Sequence, residues 1–213
     1  MTTDIKSRVR EAFTENDEPD AEAAWRYMDA LRPAWRETAQ SVRRTGLLIL
    51  GVIVLFELVR RGDIADIKFG GVQIEDISQW LAVLPPLVGY LFLSLSRDSV
   101  HLDDIYHAHT SAFAVWHPAA EKLDLDTFLQ PQTPLYVPTG GSQRDEHMDA
   151  GHRLVDRLSV LILVLLVLLV PVAFTAYAGY VLIDTTSNVV ACISTAAAAL
   201  LVGSAIAVWW MAD

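Results

Sequence analysis

This chain is poor in the residues that most chemistries require. It has a single cysteine among 213 residues, Cys192, and that one lies inside an apolar run. Intrachain disulfides and cysteine-based zinc clusters are therefore excluded. There is no phosphate-binding GxxxxGK[ST] loop, no GxSxG nucleophile elbow, no dinucleotide fingerprint and no HExxH pair. Cationic side chains are also scarce: 16 Lys and Arg face 26 Asp and Glu, giving a net charge of -10. That balance argues against nucleic acid, which is held by Lys and Arg on phosphate. It also argues against broad docking on anionic headgroups.

The most informative lack is local. No Asp, Glu, Lys, Arg or His lies between Leu158 and Ile183, and none between Val189 and Met211. Two further apolar runs cover Thr45–Val59 and Trp80–Ser96. An uncharged stretch of about 18 residues or more reads as a membrane-spanning helix. In hydrocarbon every backbone N–H and C=O must bond internally, so helices are the expected form. The expectation is an all-α membrane protein with four transmembrane helices, a small extracytoplasmic β-hairpin and cytoplasmic amphipathic helices.

Basic residues set the orientation. Arg26, Arg32, Arg36, Arg43 and Arg44 precede the first run. Arg97, Arg144, Arg153 and Arg157 flank the shared side of the second and third. The other connections hold only Arg60, Arg61 and Lys68, or none. The positive-inside rule then places both termini and the middle segment in the cytoplasm of an inner-membrane, multi-pass protein. No cleavable signal peptide is visible, so the first run is expected to act as its own insertion signal.

Four segments follow: a helical lead-in at 1–44, a transmembrane hairpin at 45–96, a histidine-rich helix–loop–helix segment at 97–157 and a second transmembrane hairpin at 158–213. The lead-in reads as two helices. The first carries Ile5, Val9 and Phe13. The second carries Trp25, Met28, Leu31 and Trp35 at helical spacing, interrupted by Pro33. Its apolar stripe suits either the headgroup layer or packing on the protein's own cytoplasmic part. The second reading is preferred, because the polar face is mixed rather than basic. Residues 98–116 read as a helix continuing from the second run, with Leu102, Ile105, Tyr106, His109, Ala112, Phe113 and Trp116 on one face. Pro118 ends it.

Between the first two runs, residues 64–76 centre on Gly70-Gly71, as a two-residue hairpin turn requires. Ile67, Phe69, Val72 and Ile74 would then share one side and form an extracytoplasmic contact surface. Pro85-Pro86 should kink the second span and free backbone carbonyls, either near the helix end or at an ion-lining break. Glu57 is the one charged residue inside a run. It reads as a local ion pair with Arg60 and Arg61, against the default expectation that intramembrane carboxylates are functional. Ala191, Thr195, Ala199, Gly203 and Ala207 form a small-residue ladder for helix packing or oligomer contact.

All six histidines lie in 97–157. The candidate metal ligands are Asp104, His107, His147 and His152, since imidazole and carboxylate suit zinc or non-haem iron. The competing account is a solvated acidic face with His109 alone packed inside. No catalytic residue and no cofactor is expected. The leading expectation is a non-catalytic subunit of an oligomeric membrane assembly of the channel or pore type. Its partners would be the bilayer and copies of itself or other subunits. The alternatives are a metal-dependent membrane enzyme with a cytoplasmic His/Asp site and an accessory subunit of a larger complex.

Overall fold

Helices carry nearly all the regular structure of this chain. The structure, a computed structural model, describes residues 7–9, 11–15, 18–62, 67–69, 72–74, 81–121, 169–184 and 188–212. Near the start, β1 (Thr14–Glu15) and β2 (Glu18–Pro19) pair antiparallel, with Thr14 opposite Pro19. Asp20 follows and starts the first long helix. Its backbone N–H donates to the Phe13 carbonyl at 2.8 Å, and its carboxylate accepts from the Ala23 N–H at 3.0 Å. That is an N-cap, which satisfies one of the donors a helix start leaves orphaned.

Helix α1 (Ala21–Arg61) is 41 residues long, about 60 Å at 1.5 Å per residue. It corrects the sequence reading. The lead-in stripe and the first apolar run are one helix, and Pro33 sits inside it without ending it. Proline removes one N–H bond, here to the Asp29 carbonyl, and leaves the rest of the ladder intact. Met28 and Trp35, on either side of Pro33, are both buried, so tertiary packing holds the helix through the break. Gly62 closes α1 in the left-handed region, at φ 75°, and donates its N–H to the Val59 carbonyl at 3.1 Å. Glycine takes that conformation without a Cβ penalty.

Strands β3 (Ile67–Phe69) and β4 (Val72–Ile74) pair antiparallel, with Ile67 opposite Ile74, Lys68 opposite Gln73 and Phe69 opposite Val72. At three residues each they do not change the helical class, and Gly70-Gly71 lies outside the described residues. Helix α2 (Leu84–Trp116) has 33 residues and is followed by the short α3 (Pro118–Glu121). Helices α4 (Leu169–Asp184) and α5 (Asn188–Ala212) complete the described chain. Gln130–Gly141 and Trp80 lie outside it.

The chain divides into two compact units. A polar unit takes the chain up to Arg43 and resumes at Asp98. An apolar unit takes Arg44–Arg97, then α4 and α5 as far as Trp209. Among the described residues one helix, Val189–Met211, is long and apolar enough by length and composition to cross a membrane. Leu169–Asp184 is apolar but shorter. Neither α1 nor α2 is among the helices that pass; α1 carries Arg43, Arg44, Glu57, Arg60 and Arg61 at or within the ends of its apolar run, and α2 carries Arg97 and Asp98 just after its own.

Within the polar unit the two amphipathic stripes meet. Trp35 clusters with Leu102, Ile105 and Tyr106, and Met28 with Ala112 and Phe113. The rings of Trp35 and Tyr106 meet edge to face at 5.9 Å. Trp25, at the rim, stacks on Trp116 at 4.8 Å. The stripe on α1 thus packs on the protein itself. Ser41 adds a 2.6 Å bond from its hydroxyl to the Asp98 carboxylate.

An interior proline costs up to about 3 kcal/mol relative to alanine. Pro33→Ala is therefore expected to raise the thermal midpoint of the purified protein. An unchanged midpoint would mean that α1 is not continuous through that position.

Candidate functional site

Two places concentrate the polar chemistry, and they lie in different units. In the polar unit, α2 is buried almost all round between Leu102 and Val115. His107 and His109 are both inside. This corrects the expected solvated acidic face: two histidines are packed, not one. His107 Nε2 lies 3.3 Å from the Asp103 carboxylate, one helical turn earlier. Asp104 is half-buried, while His101 and His117 are exposed. His147 and His152 lie outside the described residues. Among the described residues no group of three or more His, Cys, Asp or Glu could hold a metal ion.

His109 is the more unusual of the two. It is 1% exposed, neither ring nitrogen has a hydrogen-bond partner, and its ring sits edge-on to Trp35 at 5.9 Å. Burial first, and the Arg32 charge second, push its pKa down from 6.5 to about 4. It is therefore neutral at pH 7, packed as an aromatic ring.

In the apolar unit the helices approach closely at glycines. A Cβ on Gly89 of α2 would lie 3.0 Å from Leu201 Cβ and 3.1 Å from the Ala198 carbonyl oxygen of α5. On Gly179 of α4 it would lie 2.8 Å from Thr195 Cγ2 of α5. Helix α5 thus packs on α2 at Gly89, where the Ala198 backbone comes close, and on α4 at Gly179, where the Thr195 side chain does. Small residues at helix contacts do this in apolar surroundings, where dispersion rather than water exclusion drives association.

The same contact resolves the proline pair. Helix α2 starts at Leu84, so the prolines fall in its first turn rather than kinking a span; Pro86 has no N–H, and the Ala82 carbonyl just ahead of the helix gets no backbone donor from it. Ser194 of α5 supplies one: its hydroxyl donates to that carbonyl at 2.6 Å, and the serine is buried. The helical ladder of α2 begins just after, with the Leu87 N–H reaching the Val83 carbonyl at 3.2 Å. A carbonyl capped in this way ties α5 to the start of α2. Sequence reasoning singled out neither Ser194 nor Gly89. The signal was present: a proline names the carbonyl it orphans, four residues back.

The small-residue ladder divides. Ala191 and Thr195 turn inward, while Ala199, Gly203 and Ala207 are exposed. Four residues advance a straight helix by about 40° past a full turn, so the ladder winds about 160° from first to last. The inward stripe is instead Ala191, Ser194, Ala198, Val202 and Ala205, spaced by threes and fours. Glu57 is more than a local pair. Arg60 and Arg61 lie 3.0 and 3.7 Å from it, the Tyr177 hydroxyl of α4 donates to it, and the Arg60 guanidinium lies 5.9 Å over the Tyr177 ring. Beside it, Phe56 meets Phe174 edge to face at 5.2 Å. The side chains of Ile67, Phe69, Val72 and Ile74 lie outside what is described. Comparison of the chain with family models, curated proteins and solved structures finds no match.

Three outcomes follow from this geometry. Ser194→Ala leaves the Ala82 carbonyl unbonded and should cost about 1–2 kcal/mol. In a Pro86→Ala background, which restores the helical N–H, the same change should be nearly neutral. Equal costs in both backgrounds, read from thermal midpoints in detergent, would break the link between them. Gly89→Val drives methyl groups into the Ala198 backbone and should cost about 1–3 kcal/mol or more. Wild-type stability above pH 7 would contradict that close approach. His109 binds fewer protons folded than unfolded between about pH 4 and 6.5, so its contribution falls as pH drops through that window, by about 3 kcal/mol in all. His109→Leu should therefore gain on wild type progressively as pH is lowered from 7 to 4.5, checked by the difference in thermal midpoints.

Proposed function

We propose that this chain is a non-catalytic, multi-pass membrane protein that works as one subunit of an oligomeric assembly of the channel or pore type. The observation that carries the reading is the outward surface of α5. It is the most apolar helix and has no charge across 23 residues, yet only 28% of its core window is buried by the rest of the chain. Val189, Ile193, Leu200, Trp210 and Met211 all point outward. An apolar surface of that extent is unfavourable in water and suits hydrocarbon or another helix.

The other apolar helices support the same reading. Leu47, Leu48, Leu50 and Val54 of α1 and Val172, Tyr180 and Ile183 of α4 are exposed as well. In this reading the apolar unit is the membrane domain, with four crossings. Its termini and the polar unit are cytoplasmic, and the β3–β4 hairpin lies outside. Charges at the ends of the apolar stretches of α1 and α2 sit at headgroup level, where long arginines snorkel to water. A bundle of four spans has little room for a conduit of its own, so conduction needs several copies. The outward half of the ladder, Ala199, Gly203 and Ala207, is the face assigned to a neighbouring copy.

The deciding experiment is the mass of the intact particle in mild detergent, together with conductance after reconstitution. The expected particle is a multiple of the 23.5 kDa chain, conducts in planar bilayers and loses copies when Gly203 is replaced by Leu. A monomer that is silent in bilayers overturns the proposal. Stoichiometric co-purifying chains of other sequence, or stoichiometric zinc or iron, would replace it with the accessory-subunit or the metal-enzyme reading.

A further inference from the structure

We draw no further inference here: the strongest candidate, the apolar groove of about 320 Å³ in the apolar unit lined by Val83, Pro86, Val190, Ile193 and Ala197 beside Ser194, is an open greasy surface, and nothing in the structure shows what covers it.

Discussion

A backbone in apolar surroundings has to satisfy its own hydrogen bonds, and most of this structure follows from how that is done. Helices meet the requirement residue by residue, and the described apolar unit is built of them. Pro85-Pro86 breaks the rule at the start of α2, and the repair comes from another helix, through the Ser194 hydroxyl on the Ala82 carbonyl. That bond can form only if α5 lies very close to α2, and closeness requires the bare backbone of Gly89 against Ala198. Proline, serine and glycine therefore act as one device. The first creates an unmet acceptor, the second meets it, and the third brings the two helices within reach.

The polar unit is held by a different balance. Its core is aromatic: Trp35, Tyr106 and Phe113 bury large areas, and edge-to-face geometry adds to the area term. His109 joins that core as a neutral ring with no hydrogen-bond partner. A buried polar group left unsatisfied costs free energy, so the surrounding packing has to offset it. The consequence is a stability expected to depend on pH through a packed histidine of the polar unit.

Function is less constrained than architecture. The chain carries no motif that names a reaction, and of the candidate ligands only Asp104 and His107 are described, His107 buried beside Asp103. What remains is a pair of contrasting surfaces. One is charged and encloses an aromatic core. The other is apolar and covered on only part of its circumference. That contrast is the ground on which the proposed lipid-embedded assembly rests.

Much of the fold was legible in order of residues alone. Stripes at helical spacing found buried Met28 and Trp35 on α1 and Leu102, Ile105, Tyr106, Ala112 and Phe113 on α2, because burial of one face imposes that period, though Trp25 stays exposed. The units part at Arg43/Arg44 and Arg97/Asp98, where composition changes from charged to apolar. Continuity through Pro33 was not legible, since local propensity argues for a break and only burial of Met28 and Trp35 on both sides overrides it. Nor was the burial of His107, which required knowing that α2 is covered on more than its apolar stripe. The ladder on α5 divides for a geometric reason: a period of four drifts around a helix of 3.6 residues per turn, and only the neighbours decide which arc turns inward. Composition fixed the solvent each segment can tolerate, because transfer free energy is a property of side chains. Tertiary structure decided which glycine, which serine and which carbonyl meet, because those contacts depend on distances between segments that sequence order does not contain.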